Sequence, residues 1–134
     1  MVAKATMLAA WMVINNPNRA EHEDLNLTVG GTIQLNTEAL RLLGGELLTI
    51  KIQVLDADWF SDDDLATDET FQLGIHDTEP HCFNTGVLVN AQTLNDCEWW
   101  GDDTAEVFCV VSAHGGKVQS NGVKTAEQDV NISF

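Results

Sequence analysis

Apolar and polar residues alternate most cleanly over Leu47–Leu55 (LLTIKIQVL). There Ile50, Ile52 and Val54 fall on one face and Thr49, Lys51 and Gln53 on the other, the period-two signature of a half-buried strand. Leu25–Leu35 (LNLTVGGTIQL) alternates on both sides of Gly30-Gly31, which reads as a hairpin or as one strand with a bulge. Thr6–Ile14 is apolar enough for a buried strand or a short helix, and periodicity alone does not separate the two. Phe71–Ile75, Gly86–Val89, Ala105–Ala113 and Val130–Phe134 read as further strands, with AEVFCVVSA apolar enough to be central. The one notable helix candidate is Thr37–Leu43 (TEALRLL), with Thr37 placed to cap it and Gly44 to end it. Gly30-Gly31, Gly44-Gly45 and Gly115-Gly116 read as turns. Short strands separated by Gly, Asn and Asp clusters predict an all-β protein, a single-domain antiparallel β-sandwich over residues 1–134.

Composition narrows the functional classes. The chain has 134 residues, 44% hydrophobic and 20% charged, which suits a globular core. Its 21 acidic residues against 6 Lys and Arg give a net charge of −15. Nucleic-acid binding requires a basic footprint and is excluded on that ground. Direct adhesion to an anionic membrane would need an intervening cation. Three cysteines, Cys82, Cys97 and Cys109, form no disulfide framework, though one bridge, such as Cys82–Cys97, is compatible with the count. The opening MVAKATMLAAWMVINNP lacks a small-residue cleavage site after its apolar run. No apolar run reaches the length of a membrane span. These features point to a reduced, cytoplasmic protein, with secretion left open.

The most distinctive stretch is Val54–Phe71 (VLDADWFSDDDLATDETF). A strand ending at Leu55 delivers Asp56 and Asp58 at alternate positions, about 6–7 Å apart on one face. Asp62, Asp63 and Asp64 return after a short excursion. Carboxylates converging from two arms of a loop repel one another by several kcal/mol in total at an effective dielectric near 20. A divalent cation reverses the sign, and Ca²⁺, with its six to eight oxygens in flexible geometry, suits such a loop better than Mg²⁺. The plainer reading is a solvated acidic loop on an acidic protein. An EF-hand does not fit: counted from Asp56, the glycine position holds Ser61 and the last ligand position holds Thr67.

The stretch Leu43–Thr67 resembles the part of a C2 domain that leads into its third Ca²⁺-binding loop. There a strand ends in Asp-x-Asp-x-x-Ser-x-x-Asp, matched here by Asp56, Asp58, Ser61 and Asp64. The resemblance implies a C2-like or jelly-roll-like sandwich with Ca²⁺ as cofactor, and Asp56, Asp58 and Asp64 as ligands. Ser61 would add a weaker oxygen, and Asp62 belongs to the same acidic set. Trp59 and Phe60 would sit at the loop tip and contact a phospholipid membrane surface or a protein partner.

A second unusual stretch is WWGDD, Trp99–Asp103. Adjacent indoles on a strand point to opposite faces, so at most one belongs to a half-buried core. The other packs under a loop, meets a partner or stacks on a ligand such as a sugar ring. Asp96, Asp102 and Asp103 would add cation ligands if this turn lay beside the Asp56–Asp64 loop. IHDTEPHC contains His76 and His81 at the spacing of one zinc pair, but no second pair stands opposite. No nucleophile elbow, phosphate loop or dinucleotide fingerprint occurs, so no catalytic residue is assigned. The sequence therefore predicts a non-enzymatic Ca²⁺-binding module that docks through Asp56–Asp64. The alternatives are an interaction protein that forms a homo-oligomer behind a solvated acidic face, and a carbohydrate-binding sandwich using Trp99 or Trp100.

Overall fold

A computed structural model describes residues 3–57, 63–96 and 104–134. In chain order these form β1 (Ala3–Ile14), β2 (Leu25–Leu35), α1 (Thr37–Leu43), β3 (Leu48–Asp56), β4 (Asp63–Asp68), β5 (Gln72–Leu73), β6 (His81–Val89), α2 (Ala91–Asn95), β7 (Thr104–Gly115), β8 (Val118–Ser120), β9 (Val123–Lys124) and β10 (Gln128–Asn131). The protein is all-β. Its main path runs β4-β3-β7-β8-β1-β2-β6, with β5 beside β3 and with β9 and β10 beside β7. The sheet curls until its outer strands, β4 and β6, approach each other. Across that gap the Phe71 and Phe83 rings lie 6.0 Å apart, so the sheet is nearly closed and barrel-like.

The alternation that predicts β3 also builds the core. Leu48, Ile50, Ile52 and Val54 are fully buried on its inner face, and Ala105, Val107, Cys109, Val111 and Ala113 do the same on β7. Thr6–Ile14 is strand rather than helix, and most of it pairs with β2. The expected helix is present between the expected residues, but Asn36, not Thr37, caps it: the Asn36 side chain accepts from Ala39 N–H at 2.8 Å. Gly44 ends it in the left-handed conformation, φ 61°.

Of the two readings of Leu25–Leu35, the single strand is found and the hairpin is not, so Gly30-Gly31 is not a turn. Leu25–Leu35 runs as one unbroken strand, paired from Leu25–Val89 to Ile33–His81 with β6. The irregularity lies on β1, where Leu8 is the extra residue between Met7 and Ala9. The glycines are needed for close approach. A Cβ on Gly31 would come within 2.6 Å of Ala9 O, and one on Gly30 would enter the Trp11 ring. The other two glycine pairs do lie at turns, with Gly44, Gly45 and Gly116 all at positive φ.

β8, β9 and β10 form one interrupted strand along β7. His114 faces Gln119, Val111 faces Val123 and Val107 faces Gln128, so each break inserts one residue. Side chains bridge the breaks. The Ser120 hydroxyl accepts from Ala113 N–H, and the Thr125 hydroxyl accepts from Cys109 N–H. On the other side β8 runs parallel to β1. Beyond β8, the Asn121 amide exchanges two hydrogen bonds with the Met7 backbone, and Gln128 donates to Met12 O at 2.7 Å. Among the described residues, no helix is long and apolar enough to cross a membrane.

Candidate functional site

The end of β3 and the start of β7 lie side by side. Asp56, the last residue of β3, is paired with Val107 near the start of β7. Ala57 N–H donates to Glu106 O at 2.7 Å, extending that ladder beyond β3. The last described residues of the β3 arm and the first residues of β7 therefore share one end of the sheet. Asp58, Trp59, Phe60, Ser61 and Asp62 lie outside the described residues, as do Trp99 and Trp100.

Of the expected ligands, Asp56 and Asp64 are described. Asp56 continues the inward row of Leu48, Ile50, Ile52 and Val54 and is 8% exposed, so a carboxylate closes an otherwise apolar row. Asp63 occupies the register position opposite it on β4. Asp64 is paired with Leu55 and is exposed, so Asp56 and Asp64 leave opposite faces of the β3–β4 ladder. A change of register just beyond Asp64, between Leu55 and Val54, tucks Leu65 into the core. Further acidity lies alongside: Glu106 and Asp129, both exposed, face each other across β7 and β10. A like-charge pair in that position costs roughly 0.2–1 kcal/mol. Among the described residues the ion pairs are His81–Asp77, His114–Glu69 and Lys124–Glu127, so none relieves Glu106 or Asp129. Among the described residues no group of three or more His, Cys, Asp and Glu side chains is placed to hold a metal.

The same end contains a residue that nothing in the sequence singles out. Arg19, in the β1–β2 connection, is only 2% exposed. Its guanidinium donates to Glu23 O at 2.7 Å, Asn95 Oδ1 at 2.8 Å and Glu21 O at 3.0 Å, and lies 5.3 Å from the Phe134 ring centroid. Burial lowers its pKa, against the opposing charges of Glu23 and Asp24. With its donors committed to carbonyls, Arg19 ties this connection to α2 and to the residues after β10. An arginine in NPNRAEHED looks like any solvated loop residue, so no sequence signal marks it.

The remaining constellations take ordinary forms. His81 Nε2 lies 2.7 Å from Asp77 Oδ1. That contact, then the Glu79 N–H, holds the exposed Asp77 carboxyl below its usual range. Cys82 is a free, exposed thiol on β6, so the Cys82–Cys97 bridge does not form. Cys109 is a free thiol in the core, pushed up to about 12 by burial, with its Sγ 3.4 Å from Met12 Sδ. A thiol so placed is a packing group rather than a nucleophile.

No family model and no curated protein matches the chain. A solved structure described as the "Putative ApaA Protein from Bordetella pertussis" is similar over 98% of both chains, at 8% identity and a TM-score of 0.41. A likeness that distant carries no argument about function.

Proposed function

We propose that the protein is a non-enzymatic module that binds Ca²⁺ at the end of the sheet where β3, β4 and β7 meet. The observation that carries the reading is Asp56, a carboxylate at the end of a buried apolar row, with Asp63 opposite it in register. A cation there offsets the repulsion between these positions, and Ca²⁺ tolerates the irregular oxygen set a loop provides. The placement favours Asp56, with Asp58 and Asp62 expected from the loop, over Asp64, which leaves the other face. Ser61 stays a weaker candidate oxygen. Trp59 and Phe60, between these acids in sequence, would then bring an interfacial anchor to a membrane or protein partner once the ion is bound. The free thiols of Cys82 and Cys109 favour a reducing, cytoplasmic setting. In architecture, we take the curled sheet as a flattened, sandwich-like barrel, with β4 and β6 meeting at the Phe71–Phe83 contact.

Thermal unfolding in EGTA and then in millimolar Ca²⁺, with Mg²⁺ as control, tests the reading. Ca²⁺ at about 100 times its Kd stabilises the fold by about 2.7 kcal/mol per site, a Tm rise of roughly 5–15 °C for a domain of this size. Asp56→Asn should remove that rise. Equal shifts with Mg²⁺, or none with either ion, would leave the acidic end a solvated face.

A further inference from the structure

A protein of net charge −15 has one broad sheet surface without a formal charge. On the outer side of β1, β2 and β6, the positions from Leu8 to Val13, from Asn26 to Gln34 and from Cys82 to Leu88 contain no Asp, Glu, Lys or Arg. Trp11 stands near its centre. It is paired in register with Gly30, which in turn faces Asn84. Gly30 points outward yet is buried, and a Cβ built on it would enter the Trp11 ring at Cζ2 and Cε2. The indole therefore lies across β2 over the bare glycine backbone, an arrangement that stabilises glycine within a sheet. Trp11 nevertheless remains 44% exposed. One side of the ring rests on the strand, and the other is left to solvent.

We propose that this surface is a binding platform for a neutral, extended, β-linked oligosaccharide, with Trp11 as the stacking residue. The C–H face of a pyranose ring is apolar and flat, and it covers an indole laid flat on a sheet. Its equatorial hydroxyls radiate in the plane of the ring, toward groups beside the indole. Asn84 offers an exposed amide there that, among the described residues, makes no side-chain hydrogen bond. Thr28 and Thr32 line the same strand as Gly30 on its outer side. The absence of charge selects the ligand class. A sulfated or uronic polymer would be repelled by the rest of the molecule, whereas a neutral glycan has no carboxylate to desolvate against. Size argues against a second copy of the chain. Three strands and about four rows of outward residues span roughly 400 Å², about half of what one partner contributes to a stable interface.

The experiment is calorimetric titration with cellohexaose, with the coiled α-linked maltohexaose as control, in EGTA so that cation binding at the β3–β4 end has no part in the readout. The expected result is binding of cellohexaose with a Kd of about 10⁻⁵–10⁻³ M, and weaker or no binding of maltohexaose. Trp11→Ala should weaken it by about tenfold or more. Because Trp11 also covers Gly30, Asn84→Ala provides the second variant: it should weaken binding several-fold with an unchanged Tm. Absence of heat with cellohexaose would overturn the proposal, and so would affinity that survives both substitutions or is lost only in Trp99→Ala or Trp100→Ala. Concentration-dependent dimerisation abolished by Trp11→Ala, without sugar binding, would assign the face to a second copy and overturn it equally.

Discussion

Replacing Arg19 with Met keeps most of the aliphatic volume and removes the guanidinium. The side chain is almost fully enclosed and makes three hydrogen bonds of 3.0 Å or shorter, to Glu23 O, Asn95 Oδ1 and Glu21 O. Hydrogen bonds to a charged group contribute about 1.5–3 kcal/mol each, and a buried acceptor left unpaired costs about 1–3 kcal/mol. Taken at face value the three would exceed 4 kcal/mol. Two of the acceptors, however, belong to a connection whose other residues are mostly exposed, and these regain water once the loop lifts. The desolvation already weighing on the guanidinium is also relieved by the substitution. The net loss expected is about 3 kcal/mol. Urea unfolding should show it as a lower midpoint at unchanged slope, with Arg41→Met, at an exposed helix position, as the near-neutral control. Hydrogen exchange should localise the damage: the Asn131 amide, which donates to Pro17 O at 2.9 Å, should lose protection before the β3–β7 ladder does. A loss below about 1 kcal/mol, or protection falling uniformly across the sheet, would refute the view of Arg19 as a local tie.

Two other substitutions probe the interior. Gly31→Ala forces a Cβ to 2.6 Å from Ala9 O and 3.0 Å from Phe83 Cζ. Backbone oxygen cannot yield as a side chain can, so a loss of about 2 kcal/mol or more is expected by thermal or urea unfolding. Gly86→Ala, whose nearest neighbour would be 4.0 Å away, should be close to neutral. For the thiols, alkylation at pH 8 followed by peptide mapping should label Cys82 and spare Cys109. At a pKa of about 12, only about one Cys109 thiol in ten thousand is ionised at that pH, and the group is enclosed besides. Equal labelling of the two would show that the core opens far more readily than its packing implies.

The sequence and the structure agree where one interaction dominates. β3 alternates because one face is core and the other is not, and α1 spans the expected Thr37–Leu43 and ends at a left-handed Gly44, although Asn36 rather than Thr37 caps it. Where tertiary pairing overrides local preference, the sequence misleads. Asp63 and Asp64 read as the far arm of an Asp56–Asp64 loop, yet they open strand β4, held by pairing with β3. Gly30-Gly31 also admits a hairpin turn, because the groups that crowd these glycines within a strand, the Trp11 ring at Gly30 and Ala9 O at Gly31, arrive from β1. β8 and β9 are two or three residues long and lean on Ser120, Asn121 and Thr125 side chains, too little to leave a periodic trace. The opposed faces of Asp56 and Asp64 follow from a single register change at Leu65, which a count of residues along the chain cannot anticipate. Arg19 is invisible for the opposite reason: its partners are mostly main-chain carbonyls, which every residue has.

The interrupted strand that follows β7 also governs the order in which the molecule can assemble. It stands between β7 and β1 in the sheet, and its first segment joins Ala3 to Val118 and Ala5 to Ser120. On one side, β3, β4 and β7 can pair without it. On the other, β1, β2 and β6 can do the same. The two halves become one sheet only when this seam closes over more than a hundred residues of intervening chain, so its entropy is spent late and repaid by only a few short ladders. During synthesis the apolar face of β1 emerges long before its second neighbour exists, and its uncharged stretch from Leu8 to Val13 gives no electrostatic guard against stray pairing. The three-part seam is thus the natural bottleneck of folding, and the place where the finished protein would first come apart.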